Sequence, residues 1–365
     1  MLAQPGRPTS MHHQAKAKER CVSAKLTTPT PSNEPITVCF GPLEPKSARL
    51  AAMQDKPKSI PTWCTYSVGV WGGDRLTACS YWGWTYTVTQ GSTEIGSADV
   101  VIWNVLRNHN AQNKIIWQSW AGAFDVTGAA ELIRLAMTPG CDGPCTISTA
   151  PLPPTELPVD PSEDEWLAVQ FEGAATGLSG VPAGTVRPGI SPFMDIAMAA
   201  PAAAHDPEED QIWLDEEWEI RCDYLAAGGD APAYGCVYHN LWPIHVVVWA
   251  ELPEHAEVIT AAQTVKGAPG APGDYPLTRL MDPTLRQRNG AAACRMWPTP
   301  RPPGEECDEY PFRSTWQGAH TGDPDVNFSD LISTSQNQDG GEQLAWFYRY
   351  HRVIEADPFF VDVET

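Results

Sequence analysis

Cys307-Asp-Glu-Tyr-Pro-Phe and, further on, Ser335-Gln-Asn-Gln-Asp-Gly-Gly are the segments of this chain whose residue types and spacing could do chemistry. Hydrolysing a phosphodiester requires a base for the attacking water's proton and a cation against the charge on the phosphate and the leaving oxygen. Asp308 could accept the proton. Glu309 could hold a metal or orient its neighbour, and Asn337 offers a hard carbonyl oxygen of the kind that suits Mg²⁺ or Mn²⁺. Arg286 and Arg288, in a stretch with Arg295 and Arg301 just before the acidic motif, could clamp phosphate or solvate a loop. Acidic pairs in loops are commonly just solvated, so the motif needs support from the elements around it.

Other chemistries lack their signatures. The sequence has no Gly-x-Ser-x-Gly elbow, no phosphate-binding loop and no His-Glu-x-x-His pair. His239, His245, His320 and His351 have no metal-ligand spacing and read as surface or packing residues.

The elements that would position these groups differ along the chain. Residues 1–60 are rich in Pro, Ser, Thr and Lys without periodicity and read as a largely disordered tail. Residues 61–220 carry short strand signals at 66–71, 81–89, 100–105, 115–120, 166–171 and 193–198, which predict a β-sandwich-like module. On the 81–89 strand, Trp82, Trp84, Tyr86 and Val88 share one face and Thr85, Thr87 and Thr89 the other; the aromatic face reads as core before it reads as a platform for sugars or bases. The Pro-rich, acidic stretches 151–165 and 206–219 read as solvated loops or edges, and the Gly-Ala-Pro run at 267–273 as a loop. Residues 221–365 form a different texture: a buried strand at 244–249, a helix from Pro253 with Val258, Ile259 and Ala262 inward, a strand near 330–334, and a helix at 342–350 with Leu344, Phe347 and Tyr348 as its apolar face. The fold expected is mainly β, with a small α+β domain at the C-terminus.

Ten cysteines fall as near neighbours: Cys21 and Cys39, Cys64 and Cys79, Cys141 and Cys145, Cys222 and Cys236, Cys294 and Cys307. Such spacing reads as local disulfides made in an oxidising compartment, with zinc the weaker reading because only Cys141 and Cys145 resemble a half-site. Secretion is therefore expected, although the N-terminus shows no apolar signal region. No apolar run reaches membrane-spanning length. The net charge of −21 opposes nucleic-acid binding by bulk attraction. A bound cation would supply positive charge locally whatever the total.

From Cys222 onward the sequence resembles the NucA/NucB family of secreted bacterial deoxyribonucleases. The pieces that carry the resemblance are Pro276-Leu-Thr-Arg-Leu, residues 289–294, Cys307-Asp-Glu-Tyr-Pro-Phe with Ser314-Thr315, Ser335-Gln-Asn with Gly340-Gly341, and Leu344 with Phe347-Tyr348. The resemblance implies a minimal His-Me finger (ββα-metal) fold, a single divalent metal and DNA as substrate, with an aspartate in place of the usual histidine base. Carried over, Asp308 is the general base, Glu309 the neighbouring acid, Asn337 the metal-side residue, and Arg286 and Arg288 the basic stretch. An inhibitor or immunity protein is the kind of protein partner it implies. Two departures stand out: Gln336 replaces an acid expected in many relatives, and from residue 221 on ten Lys and Arg face twenty Asp and Glu. Two other readings follow, a catalytically inactive surface-binding protein with a Trp-rich β module, and an antibacterial DNase toxin.

Overall fold

A computed structural model describes residues 20–24, 36–43, 56–64, 69–131, 133–162, 164–199, 203–204, 211–214, 218–227 and 231–365. The chain divides into two compact units: Met1–His109, Asn113–Gly180 and Val186–Cys222 in one, and Asn110–Gln112, Val181–Thr185 and Asp223–Thr365 in the other.

The first unit is β throughout its described residues. One antiparallel sheet runs β1 (Arg20–Ala24), β2 (Ile36–Pro42), β4 (Thr77–Gln90), β5 (Thr93–Asn108), β6 (Ile115–Gly128), β10 (Leu167–Ala175), β8 (Cys145–Ile147), with β3 (Gly72–Gly73) beside β4. A second sheet is built on β11 (Thr185–Ala199), which pairs with β7 (Arg134–Asp142), β12 (Ala203–Ala204) and β13 (Gln211–Trp213), while β7 also pairs with β9 (Leu152–Glu156). The alternation on β4 works as expected: Trp82, Trp84, Tyr86 and Val88 are all buried, opposite Ile102, Val100, Ala98 and Gly96 of β5. Their rings pack on one another rather than on solvent, with Trp84 stacked on both Trp82 and Phe40. That face is core, not a ligand platform.

Two local expectations change. Within the first sixty residues, β1 and β2 extend the sheet and are joined by the Cys21–Cys39 disulfide; the remainder of that stretch, apart from residues 43 and 56–60, lies outside the described residues. Of the strand expected at 66–71, residues 65–68 lie outside the described residues and 69–71 are not strand. The stretch 151–165, expected as loop or edge, contains β9 at the edge of the second sheet. Most of 206–219 lies outside the described residues.

β14 (Ile220–Leu225) crosses the division between the units and β15 (Ala233–Tyr238) follows it. The second unit then has a three-stranded sheet in which β16 (Ile244–Val248) runs parallel to β20 (Pro358–Glu364), and β17 (Leu277–Thr278) pairs antiparallel on the other side of β20. A hairpin of β18 (Glu305–Tyr310) and β19 (Phe328–Ser333) stands apart from that sheet. Three helices accompany them: α1 (Pro253–Val265), α2 (Pro283–Ala293) and α3 (Thr334–Tyr350). One core joins the strands β16 to β20 with α1 and α3, with Val247, Ile259, Tyr310, Ile332, Phe347 and Phe359 among its buried members. All of its residues come from the C-terminal unit, so residues 221–365 expressed alone are expected to fold; a disordered circular-dichroism spectrum would refute this.

Candidate active site

Pairing sets the hairpin's faces. Asp308 lies opposite Asp330, Cys307 opposite Leu331 and Glu306 opposite Ile332. Because successive strand residues point to opposite sides, Glu306, Asp308 and Tyr310 share one face, and Glu305, Cys307 and Glu309 the other. The acidic motif is thus not a loop pair. Asp308 and Glu309 serve different sides of a strand.

Asp308 is turned inward and is only 5% exposed. Its Oδ2 lies 2.6 Å from Nδ1 of His255, which is also buried, and its Oδ1 accepts the Glu309 backbone N–H at 2.9 Å. His255 projects from the first turn of α1 and stacks on Phe312, with ring centroids 6.0 Å apart. Helix α3 closes over it at Gly340, where an added Cβ would come within 2.9 Å of the imidazole. Nε2 of His255 is buried and has no partner, so Nδ1 is the nitrogen that binds the carboxylate. A carboxylate this enclosed is tolerable only when hydrogen-bonded, and His255 with the Glu309 amide meets that need. No spacing signal in the sequence points to His255, which lies 53 residues before Asp308. His245 is buried against Phe347, with burial pushing its pKa down to about 3, so it is a neutral packing residue.

Asn337 lies on the same side as Glu306. Its Nδ2 donates to Glu306 Oε2 at 2.7 Å, which leaves the amide oxygen and the carboxylate as adjacent hard donors. Helix α3 begins at Thr334, eight residues before the start expected from sequence, so Asn337 sits in its first turn and not in a preceding polar turn. Tertiary contacts override the poor helix propensity of Gly340-Gly341. The Glu254 carboxylate accepts the N–H of Ser333, the N-cap of α3, at 2.6 Å, while Gln336 Oε1 accepts the Glu254 N–H at 2.8 Å. The two helix N-termini thereby satisfy each other's free amides. A neutral amide at 336 also avoids placing a second negative charge beside Glu254.

The opposite face carries Glu309 and the Cys294–Cys307 disulfide. The Cys294 and Cys307 sulfurs and the Glu309 carboxylate lie close enough together to suggest a metal site. Chemistry argues against one, since sulfurs joined to each other are not thiolates and bind metal poorly. Glu306 and Asn337 fit a hard divalent cation better. Burial raises the Glu309 pKa to about 7, helped by the neighbouring Asp308 charge and opposed by Arg313, whose N–H donates to Glu309 Oε1 at 3.2 Å. A carboxyl whose pKa rises on folding binds more protons in the native state between its unfolded value near 4.5 and about 7. Its contribution to stability therefore falls as pH rises through that window. Urea midpoints in EDTA should decline from pH 5 to 8, and Glu309→Gln should flatten the decline; an unchanged slope in that variant would assign it to other groups.

Arg286 and Arg288 are on α2, not in a loop. Asp282 caps that helix, accepting the Leu285 N–H at 2.9 Å, and Pro283 occupies its first turn. Asp282-Pro283 is the local signal that starts this helix. Two residues apart on a helix, the arginines diverge: Arg286 is half-buried and Arg288 is exposed. Asn289, almost fully buried, fastens α2 to the segment after β18 by donating to the Arg313 and Thr315 carbonyls and accepting from the His320 and Thr321 amides.

A strand hairpin feeding a helix, with an inward aspartate on the first strand and an amide in the first turn of the helix, is the ββα arrangement expected for the C-terminal region. Residues 275–362 match the family model described as deoxyribonuclease NucA/NucB. The C-terminal region is a NucA/NucB domain. No curated protein and no solved structure matches the chain at a significant level. The NucA/NucB match spans β17, α2, the hairpin, α3 and most of β20, and it includes Asp308, Glu309, Asn337, Arg286 and Arg288. His255 and Glu254 precede it. The NucA/NucB assignment supports a deoxyribonuclease function in general.

Every cysteine is oxidised. Besides Cys21–Cys39 and Cys294–Cys307, the structure pairs Cys64 with Cys79 and Cys141 with Cys145, and Cys222 and Cys236 are disulfide-bonded too. No helix among the described residues is long and apolar enough to cross a membrane.

Proposed function

We propose that the chain is a secreted, metal-dependent endonuclease that hydrolyses DNA phosphodiester bonds in its C-terminal domain. The observation that carries this reading is the coincidence of the NucA/NucB match with the hairpin and helix that set Asp308 against His255 and Asn337 against Glu306. Asp308 acts as general base, taking the proton of the attacking water, with His255 holding one carboxylate oxygen so that its orientation is fixed. The Asn337 carbonyl and the Glu306 carboxylate would hold a divalent cation, Mg²⁺ or Mn²⁺. When bound, that ion supplies positive charge to the phosphate and the leaving oxygen. Glu309 shapes the local field from the other side of the strand, and Arg286 and Arg288 contact DNA phosphates. The disulfides favour an extracellular setting, where thiols remain oxidised. Conversion of supercoiled plasmid to nicked and linear forms, with Mg²⁺ or Mn²⁺ and again with EDTA, tests the reading; plasmid left intact with either metal would overturn it.

Asn337→Ala and Glu306→Ala should each raise the metal concentration needed for half-maximal nicking, with activity partly returning at high metal. Unshifted metal titrations in both would place the ion elsewhere. Gln336, neutral where an acid is expected, favours one second reading, a catalytically silent domain in a surface-binding protein. The same plasmid assay separates the two.

A further inference from the structure

In the C-terminal unit Arg279 is buried and Arg286 half-buried, with no carboxylate at ion-pair distance among the described residues. Arg279, which follows β17, is 4% exposed, yet its counter-groups are neutral: the Tyr348 ring 3.7 Å from its guanidinium carbon and the Ser314 carbonyl at 3.2 Å. Its Nε has no partner, and neither has the buried Nε of Arg286. Arg313 lies along α2, with its side-chain Cδ 3.4 Å from where a Cβ on Gly290 would stand, one helical turn after Arg286. Among the described residues, no carboxylate of this unit reaches ion-pair distance of any of the three; the ion pairs found in it are His255–Asp308 and Arg352–Asp223. Burial and the charges of Arg279 and Arg313 together push the Arg286 pKa below the usual arginine value, as expected for a half-buried cation beside two others. Burying cations without a counter-charge is unfavourable, and an acidic domain has carboxylates to spare for them. The Glu309 carboxylate acts on Arg313 from beyond ion-pair distance, and among the described residues none is paired with Arg279 or Arg286.

We infer that Arg279, Arg286 and Arg313 form an oxyanion subsite for a backbone phosphate of the DNA strand beside the cleavage position. Arg286 and Arg313 keep solvent-facing surface and make the contacts, while Arg279, fixed beneath them by Tyr348 and Ser314, supplies charge from below. Asn289 holds the two contacting elements in register by joining α2 to the Arg313 carbonyl. A planar guanidinium fork suits phosphate oxygens better than an ammonium does. Such a localised site lets a domain of net negative charge bind DNA without general attraction.

This inference rests on DNA being the ligand, and a binding measurement separates it from the catalytic reading. Full-length Asp308→Asn protein in EDTA is titrated against a fluorescent duplex oligonucleotide at several salt concentrations, followed by anisotropy. Arg286→Met and Arg313→Met should each weaken binding by about tenfold and reduce the slope of log affinity against log salt by about 0.9, the value for one lost phosphate contact. Arg349→Met, an exposed charge elsewhere on α3, serves as control and should bind unchanged. Arg279→Lys, which keeps the buried charge, should bind better than Arg279→Met, with thermal melting to verify that both are folded. Wild-type affinity and slope in Arg286→Met and Arg313→Met, or no binding by the parent protein, would overturn the subsite. Arginine-dependent binding in a protein that never nicks plasmid would retain the subsite and remove the nuclease reading; nicking with arginine-independent binding would do the reverse.

Discussion

Asp308→Ala is expected to lower the plasmid-nicking rate by roughly a hundredfold to ten-thousandfold, the range typical of losing a general base. Asp308→Asn should be as inactive, because the amide keeps the shape and can still meet His255 but cannot accept the water's proton. The metal requirement should be nearly unchanged in both variants, since Glu306 and Asn337 remain. The comparison with Asn337→Ala is the informative one, because there activity should recover as metal is raised. Rates measured across a metal titration distinguish the two patterns. Near wild-type nicking in Asp308→Asn would remove the base assignment while leaving the fold intact. Glu309 would then be the next candidate, since its carboxyl, with a pKa of about 7, exchanges protons near neutral pH.

What sequence disclosed here followed from periodicity and covalent chemistry. The alternation of Trp82, Trp84, Tyr86 and Val88 is a period of two, and burial on one face is its direct consequence. Pro253 at the start of α1 and the apolar spacing of Val258, Ile259 and Ala262 are likewise local signals. The motif around Asp308 was visible because residue types at fixed spacing are visible. Less legible was anything decided by contacts distant in sequence. Helix α3 begins at Thr334 because Glu254, 79 residues earlier, binds the Ser333 amide, and no window around Gly340-Gly341 contains that information. His255 is another such case, 53 residues from the aspartate it supports and outside the stretch matched by the family. The split between Asp308 and Glu309 needed only recognition that the motif is a strand. Its acidic composition disguised that, since Asp and Glu are poor strand formers and the pairing with β19 overrides them. The arginine trio illustrates the same limit, because β17's end, α2 and the segment after β18 are adjacent only once folded.

His255→Ala is expected to have the largest effect on stability of any single change at this site. It leaves the enclosed Asp308 carboxylate with only the Glu309 amide to bind it, and it opens a void between Phe312 and Gly340. Removing one partner of a buried hydrogen bond costs about 1–3 kcal/mol, and more for a charged group, because the remaining group stays desolvated without compensation. Chemical denaturation of the C-terminal unit should show that loss. A purely structural role would end there, so activity must be compared between variants that fold. His255→Asn retains an amide donor on a shorter side chain, and His255→Phe fills the space without any donor. If His255 positions the base, His255→Asn should keep more nicking activity than His255→Phe at temperatures where both are folded. The difference should appear in kcat and not in KM for DNA, because the group acts on Asp308 and touches no substrate. Equal kcat in the two folded variants would reduce His255 to a packing residue. A loss in KM alone would mean that its effect reaches the DNA-binding surface, for which the geometry offers no route.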